Sequence, residues 1–342
     1  MRLGVLTGGG DCPGLNAVIR AVVRRSSRRY DSTVVGFLDG WRGVIENQAM
    51  ELDIETCRGL LPRGGTILGT SRIQPYSNPG DMDRVRASLA AQSVDGLVVI
   101  GGEGTLSCAA QAFEDGLPVV GVPKTIDNDI ALTEATFGFD TALGIATEAI
   151  DRLHTTAESH DRIMVVEVMG RHVGHIAIRA GMAAGATMTL IPEHPFDIAA
   201  VCESLTRRHE HGKYASIVVV AEGAKPIPGT MDIAPDETDE YGHIRLGGIS
   251  NRIAAEIERR TGYETRVTIL GYIQRGGTPS PADRVLSTRF GVAAADAVHD
   301  GDFGQMVALQ QDRIVRVALS DATAELKLVD DGLYDAAREF FA

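Results

Sequence analysis

The chain has 342 residues, 44% of them hydrophobic and 23% charged, and its 33 Lys and Arg against 46 Asp and Glu give a formal net charge of −13. That length suits one large domain or two lobes, and so acidic a chain is a poor overall partner for nucleic acid or an anionic membrane. Cys12, Cys57, Cys108 and Cys202 lack C-x-x-C spacing, no apolar run is long enough to span a membrane, and no signal-peptide pattern opens the sequence; a cytoplasmic protein without a disulfide framework or zinc site is expected.

Short apolar runs alternate with helical patterns. Strands are expected at Leu3–Thr7, Thr33–Phe37, Gly96–Ile100, Val119–Val122, Ile163–Val168, Ile217–Ala221 and Val267–Leu270. Several are continuous Val, Ile and Leu runs, the pattern of parallel strands buried on both faces. Leu15, Val18, Ile19, Val22 and Val23 recur at the spacing of one helix face. The alternation predicts a doubly wound α/β architecture. Residues 225–248, with Pro226, Pro228, Pro235 and many acids, are expected to form a surface excursion, and the chain after about Ser320 a helical tail without evident chemistry.

Two glycine loops follow strands and open helices, Thr7-Gly8-Gly9-Gly10-Asp11-Cys12-Pro13-Gly14 and Gly101-Gly102-Glu103-Gly104-Thr105. Glycine lets backbone N–H groups approach an anion, and a helix N-terminus favours negative charge. Each loop alone could be a tight turn; two on one sheet point to a phosphate site. Neither fits the dinucleotide or Walker patterns. Glu103 would repel bare phosphate but suits a hard cation such as Mg²⁺; otherwise it is an acid stabilised by the helix dipole. Pro123-Lys124-Thr125-Ile126-Asp127-Asn128-Asp129 ends another strand. One of its acids can accept a hydroxyl proton while the other orients the hydroxyl or a metal shell; the plain alternative is a polar Asx turn. Arg171, Arg266 and Arg275 stand beside glycines or strands and suit phosphate through their planar guanidinium.

The stretches 4–20 (GVLTGGGDCPGLNAVIR), 63–72 (RGGTILGTSR), 101–105 (GGEGT), 123–129 (PKTIDND), 137–142 (FGFDTA), 167–175 (EVMGRHVGH) and 270–277 (LGYIQRGG) occur in the order and spacing of one family. Over nearly its whole length the chain resembles the ATP-dependent 6-phosphofructokinases. The resemblance implies two doubly wound α/β lobes with the active site in the cleft between them. Residues 1–138 with 279–326 would bind nucleotide, 139–278 the sugar phosphate, and 327–342 would be a C-terminal helical tail. It implies that Gly10, Arg72, Gly102, Glu103, Gly104 and Thr105 line the ATP phosphates, with Glu103 at Mg²⁺. Asp127 would be the base, supported by Asp129, and Thr125 and Arg171 would stabilise the transferring group. Fructose 6-phosphate would meet Thr125, Ile126, Asp127, Met169, Gly170, Arg171, Glu222, Tyr272, Ile273, Gln274 and Arg275. Arg162 and Arg266 would reach it from a neighbouring subunit, implying a homotetramer or homodimer.

The sequence departs from the common bacterial pattern. Glu103 stands where Asp is usual, and Tyr272 where His is. Lys124 replaces a glycine and is typical of the pyrophosphate-dependent branch. Gly104, in contrast, leaves open the space that an Asp blocks in that branch, so the expected donor is ATP, with pyrophosphate as the alternative. A kinase sharing only the GGEGT loop and a silent nucleotide sensor are weaker alternatives, because neither needs the PKTIDND and MGR segments. Of the family's effector site, Arg20, Arg24 and Lys213 fit, whereas His154 and Thr187 replace an Arg and a Glu; weak effector control is expected.

Overall fold

The computed structural model describes residues 1–231 and 247–341, so most of the excursion expected at 225–248 lies outside the described residues. The strands in chain order are β1 (Arg2–Thr7), β2 (Thr33–Phe37), β3 (Ala49–Leu52), β4 (Gly96–Gly101), β5 (Val119–Pro123), β6 (Ile163–Val168), β7 (Met188–Leu190), β8 (Ser216–Ala221), β9 (Thr265–Ile269), β10 (Gln305–Gln310) and β11 (Arg313–Ala318). The chain divides into two compact units, one of residues 1–141 and 275–327, the other of residues 142–274 and the chain from Leu328 on.

In the first unit the seven strands lie in the order β11-β10-β5-β4-β1-β2-β3. The inner five are parallel, and β3 and β11 join antiparallel at the two edges. Chain direction across the sheet reverses between β1 and β4: one half runs on to β2, the other to β5. In an open α/β sheet such a switch point is where loops diverge and leave a crevice at the carboxyl ends of the strands. Both glycine loops leave from this point. The helix Leu15–Tyr30 buries Leu15, Val18, Ile19, Val22 and Val23, the face its periodicity predicts. It packs against the helix Pro281–Asp300 so closely that a Cβ on Gly291 would lie 2.6 Å from the Val18 carbonyl oxygen.

The second unit has four parallel strands in the order β7-β8-β6-β9. β6 and β8 are buried along their whole length. A core of Val165, Leu190, Ile198, Leu205, Val218, Val220, Ile253 and Ile257 joins the sheet to the helices Ile198–Glu210 and Ile249–Thr261. The C-terminal stretch also packs here. The Val329 N–H donates to Glu193 Oε1 at 3.1 Å, and Tyr334 of the helix Asp331–Arg338 stacks on His194 at 3.7 Å. Among the described residues no helix is long and apolar enough to cross a membrane.

Candidate active site

The first unit carries the two loops. After β1, Gly8 N–H donates to the Ile100 carbonyl at 2.9 Å and Gly9 N–H to the Ser71 carbonyl at 3.2 Å, while Thr70 Oγ1 donates to the Gly9 carbonyl at 2.5 Å. The 63–72 segment therefore frames the loop, and Arg72 beside it is exposed. After β4, Gly102 caps the helix Glu103–Glu114. Thr105 wedges between the loops: a Cβ on Gly101 would lie 2.3 Å from its Cβ, and one on Gly8 2.7 Å from its Cγ2. Glycine is required at both positions by this contact. Beneath the loops lies Lys124, only 3% exposed, whose Nζ donates to the Gly10 carbonyl. Burial holds this lysine below its ordinary pKa. Arg275 packs under Gly10, and its Nη1 donates to the Asp11 carbonyl at 3.3 Å.

β5 delivers the acidic turn. Asp127 is 4% exposed, its N–H donates to Thr125 Oγ1 at 3.0 Å, and among the described residues its buried Oδ1 meets no donor. An open, buried acceptor oxygen is what a general base needs. Asn128 has φ of 56°, a left-handed conformation that asparagine reaches at lower cost than most non-glycine residues. Thr136 holds it from one side: its N–H donates to Asn128 Oδ1 at 3.1 Å and its Oγ1 to the Thr125 carbonyl at 2.7 Å. The Ile126 side chain is fully buried, so only its backbone is available to a ligand.

Glu103 is exposed at the first turn of its helix and accepts from Ser107 Oγ at 3.2 Å. Among the described residues no cluster of three His, Cys, Asp or Glu could hold a metal by itself. One exposed carboxylate beside a glycine loop fits Mg²⁺, which keeps several waters and takes few protein ligands.

In the second unit the ends of β8, β6 and β9, which are neighbours, carry Glu222, Met169–Arg171 and Tyr272–Gln274. Glu222 Oε1 accepts from the N–H groups of Gly170 at 3.3 Å and Arg171 at 3.0 Å. Those bonds hold Arg171 at φ 50° and Gly170 at φ 147°. A Cβ on Gly223 would lie 1.8 Å from the Arg171 carbonyl oxygen, so that turn has no room for a larger neighbour. Gln274 is fully buried and receives the Met169 N–H at 3.3 Å while donating to the Gly271 carbonyl at 3.1 Å; its amide is occupied by the scaffold. Tyr272 and Ile273, in the same 3-10 turn, are 78% and 60% exposed. Arg162 and Arg266 share Glu264 as their ion-pair partner, Arg162 at 2.9 Å, and the bonds from the two arginines, Arg162 first, hold the Glu264 carboxyl below its usual range. The former group is thus brought together, whereas Arg162 and Arg266 stand apart from it at the β6–β9 edge.

Three residues escape sequence reasoning. Glu167, fully buried on β6, accepts from Gly248 N–H at 2.8 Å, Ser250 N–H at 3.0 Å and Ser250 Oγ at 2.6 Å. Asp283 takes the N–H groups of Gly138 at 2.9 Å and Thr141 at 2.8 Å. Lys327 reaches the acidic turn. Each partner is distant in sequence, so no local spacing reveals it. Of the effector-type residues, Arg20 and Arg24 line a cavity of about 350 Å³ with Arg28, Thr288 and Val292. His154 Nε2 lies 2.6 Å from the Ala184 carbonyl oxygen, and the buried Thr187 accepts the Ile217 N–H at 3.1 Å. Lys213 is exposed.

A sequence model of the phosphofructokinase family matches residues 2–298. The chain is 58% identical over 342 residues to the pyrophosphate–fructose 6-phosphate 1-phosphotransferase of Streptomyces coelicolor, and 56% identical over 342 residues to the ATP-dependent 6-phosphofructokinase of Mycobacterium tuberculosis, with all of both chains covered in each case. Among solved structures, Pichia pastoris phosphofructokinase in the T-state superposes with a TM-score of 0.83 at 30% identity; the match covers 99% of this chain and 36% of that one. The pyrophosphate-dependent phosphofructokinase of Nitrosospira multiformis, at 20% identity, shares the fold with a TM-score of 0.84 over 100% of this chain and 91% of that one. The doubly wound sheets, the glycine loops at a switch point and these relatives agree: the chain belongs to the phosphofructokinase family of phosphotransferases.

Proposed function

We propose that the chain transfers the γ-phosphoryl group of ATP to the 1-hydroxyl of fructose 6-phosphate, giving fructose 1,6-bisphosphate and ADP. The observation that carries this reading is the open Oδ1 of Asp127 at the end of β5, beside two phosphate-type loops. Asp127 takes the hydroxyl proton as the sugar oxygen bonds to the γ-phosphorus and the bond from that phosphorus to the β,γ-bridging oxygen breaks. Thr125 and Arg171 stabilise charge on the transferring group, and the loop N–H groups of Gly10 and Gly102 to Thr105 orient the donor. Glu103 would hold Mg²⁺, which when bound neutralises donor phosphate charge. Met169, Gly170, Glu222, Tyr272 and Arg275 are assigned to the sugar phosphate.

The donor assignment rests on Gly104. A Cβ there would meet only Gln74 Nε2, at 3.6 Å, an ordinary contact, so Gly104→Asp should fold. It would set a carboxylate against the α-phosphate and lower kcat/KM for ATP. The purified protein, with fructose 6-phosphate and Mg²⁺, is expected to turn over with ATP and to give negligible product with pyrophosphate. Equal or better rates with pyrophosphate overturn the donor. That second reading has its own support: the Lys124 ammonium is buried under both loops, where a short, highly charged donor would place its charge, and the Streptomyces relative is named for pyrophosphate.

A further inference from the structure

We propose that Lys327 is a positioning residue for catalysis, holding the acidic turn so that Asp127 faces the hydroxyl it deprotonates; this rests on Asp127 being the base. Lys327 lies in a stretch without any motif, 200 residues from the turn. Its Nζ donates to Asn128 Oδ1 at 2.9 Å, to the Thr133 carbonyl at 2.8 Å and to the Glu134 carbonyl at 3.2 Å. Its backbone N–H donates to the Asp129 carbonyl at 2.9 Å, and Leu326 pairs antiparallel with Ile130. An ammonium has three N–H donors, and here all three can be directed at the single loop that follows Asp127.

Asn128 is the residue this tether acts on. It holds the left-handed conformation next to the base, and its side-chain oxygen is gripped by Thr136 from one side and Lys327 from the other. Without the ammonium, three acceptor oxygens lose a charged donor; the backbone contacts of Leu326 and Lys327 with Ile130 and Asp129 remain, but Asn128 Oδ1 is then gripped from the Thr136 side alone and Asn128 can relax toward an ordinary φ. Such a relaxation rotates the peptide joining it to Asp127. A general base must lie within hydrogen-bond reach of its proton, and a displacement of about 1 Å can lower the rate by about 10²-fold. The sugar-phosphate contacts assigned to the second unit are on other elements, so binding should be spared.

The test uses Lys327→Met, which keeps the aliphatic stem, and Lys327→Arg, which keeps the charge, beside Asp127→Asn and the double variant. Lys327→Met should lower kcat by about 10- to 10²-fold with KM for fructose 6-phosphate within about twofold of the parent, and Lys327→Arg should recover part of the loss. In the Asp127→Asn background the Met substitution should change kcat by less than about twofold, because a group acting through Asp127 has nothing left to position. If Lys327→Met does not fold, Lys327→Gln, which keeps a donor, takes its place on the same scale. A kcat within about twofold of the parent beside an inactive Asp127→Asn overturns the tether alone. A full loss that persists in the Asp127→Asn background shows that Lys327 acts elsewhere and overturns it too. An active Asp127→Asn overturns the base assignment, and the inference with it.

Discussion

Asp127 keeps one carboxylate oxygen buried and open, although a buried acceptor without a donor costs about 1–3 kcal/mol. Of its neighbours, Thr136 spends its hydroxyl on the Thr125 carbonyl, while Thr125 Oγ1 and Asn128 Oδ1 serve as acceptors for the N–H groups of Asp127 and Thr136. The open position fits a proton acceptor. Asp127→Asn retains the size and removes the basicity; kcat should fall by about 10²- to 10⁴-fold, while KM for fructose 6-phosphate changes much less, because the 6-phosphate is assigned to Arg162, Arg266 and Arg275. Steady-state kinetics with circular dichroism as a folding control check this, and a variant keeping more than about a tenth of kcat is not missing its base. At this scale the sequence is informative wherever chemistry follows from a compact motif. The placement of Asp127, Glu103 and the loop glycines at strand ends is legible in that way, and their chemical roles are those proposed above. Gln274 is not: it lies in the same motif as Tyr272 and Arg275, yet it is fully buried and its amide ties Met169 to the 3-10 turn.

Among the elements, the parallel strands are legible because both faces of β4, β6 and β8 are buried and their sequences are almost wholly apolar. The edges are not. β3 is four residues with one buried side chain, and β11 has none. β10 and β11 form a hairpin through Gln311 and Asp312, both at positive φ, a two-residue connection usually announced by Asn-Gly or Asp-Gly and here made without glycine. The second unit shows how distant residues set an element's start. The helix Ile249–Thr261 has no side-chain cap of its own at Gly248. Glu167 supplies the anion from β6, accepting from three donors at the helix N-terminus, where negative charge is favoured, with the Gly248 N–H shared between both oxygens. Glu167→Gln places an amide N–H₂ against those donors. It should lower stability by about 1–3 kcal/mol, seen as a lower urea midpoint. An unchanged midpoint would mean that the cap is dispensable.

For the whole molecule, the question is whether one chain holds a complete site. Arg162 and Arg266 are both ion-paired to Glu264 at the β6–β9 edge. β9 lies at the end of its sheet, and Ile269, Tyr272 and Ile273 beside it are largely exposed. An outer strand with exposed apolar residues and two guanidiniums suits contact with a second copy, which would draw the arginines from Glu264 toward a phosphate. In that arrangement a site needs the base from one chain and Arg162 from the next. Asp127→Ala and Arg162→Ala chains should each be nearly inactive alone. Mixed and allowed to exchange, they place an intact base and an intact Arg162 at one of the two sites of each hybrid pair. In an equal mixture about half the pairs are hybrid, so about a quarter of the parent activity should return. Hybrid formation is verified with distinguishable affinity tags and native mass spectrometry. Activity that stays at the level of the separate variants, with hybrids present, means that Arg162 serves its own chain or no site at all. Recovery near a quarter requires a shared site, because in a self-contained one every chain in the mixture still lacks one of the two groups.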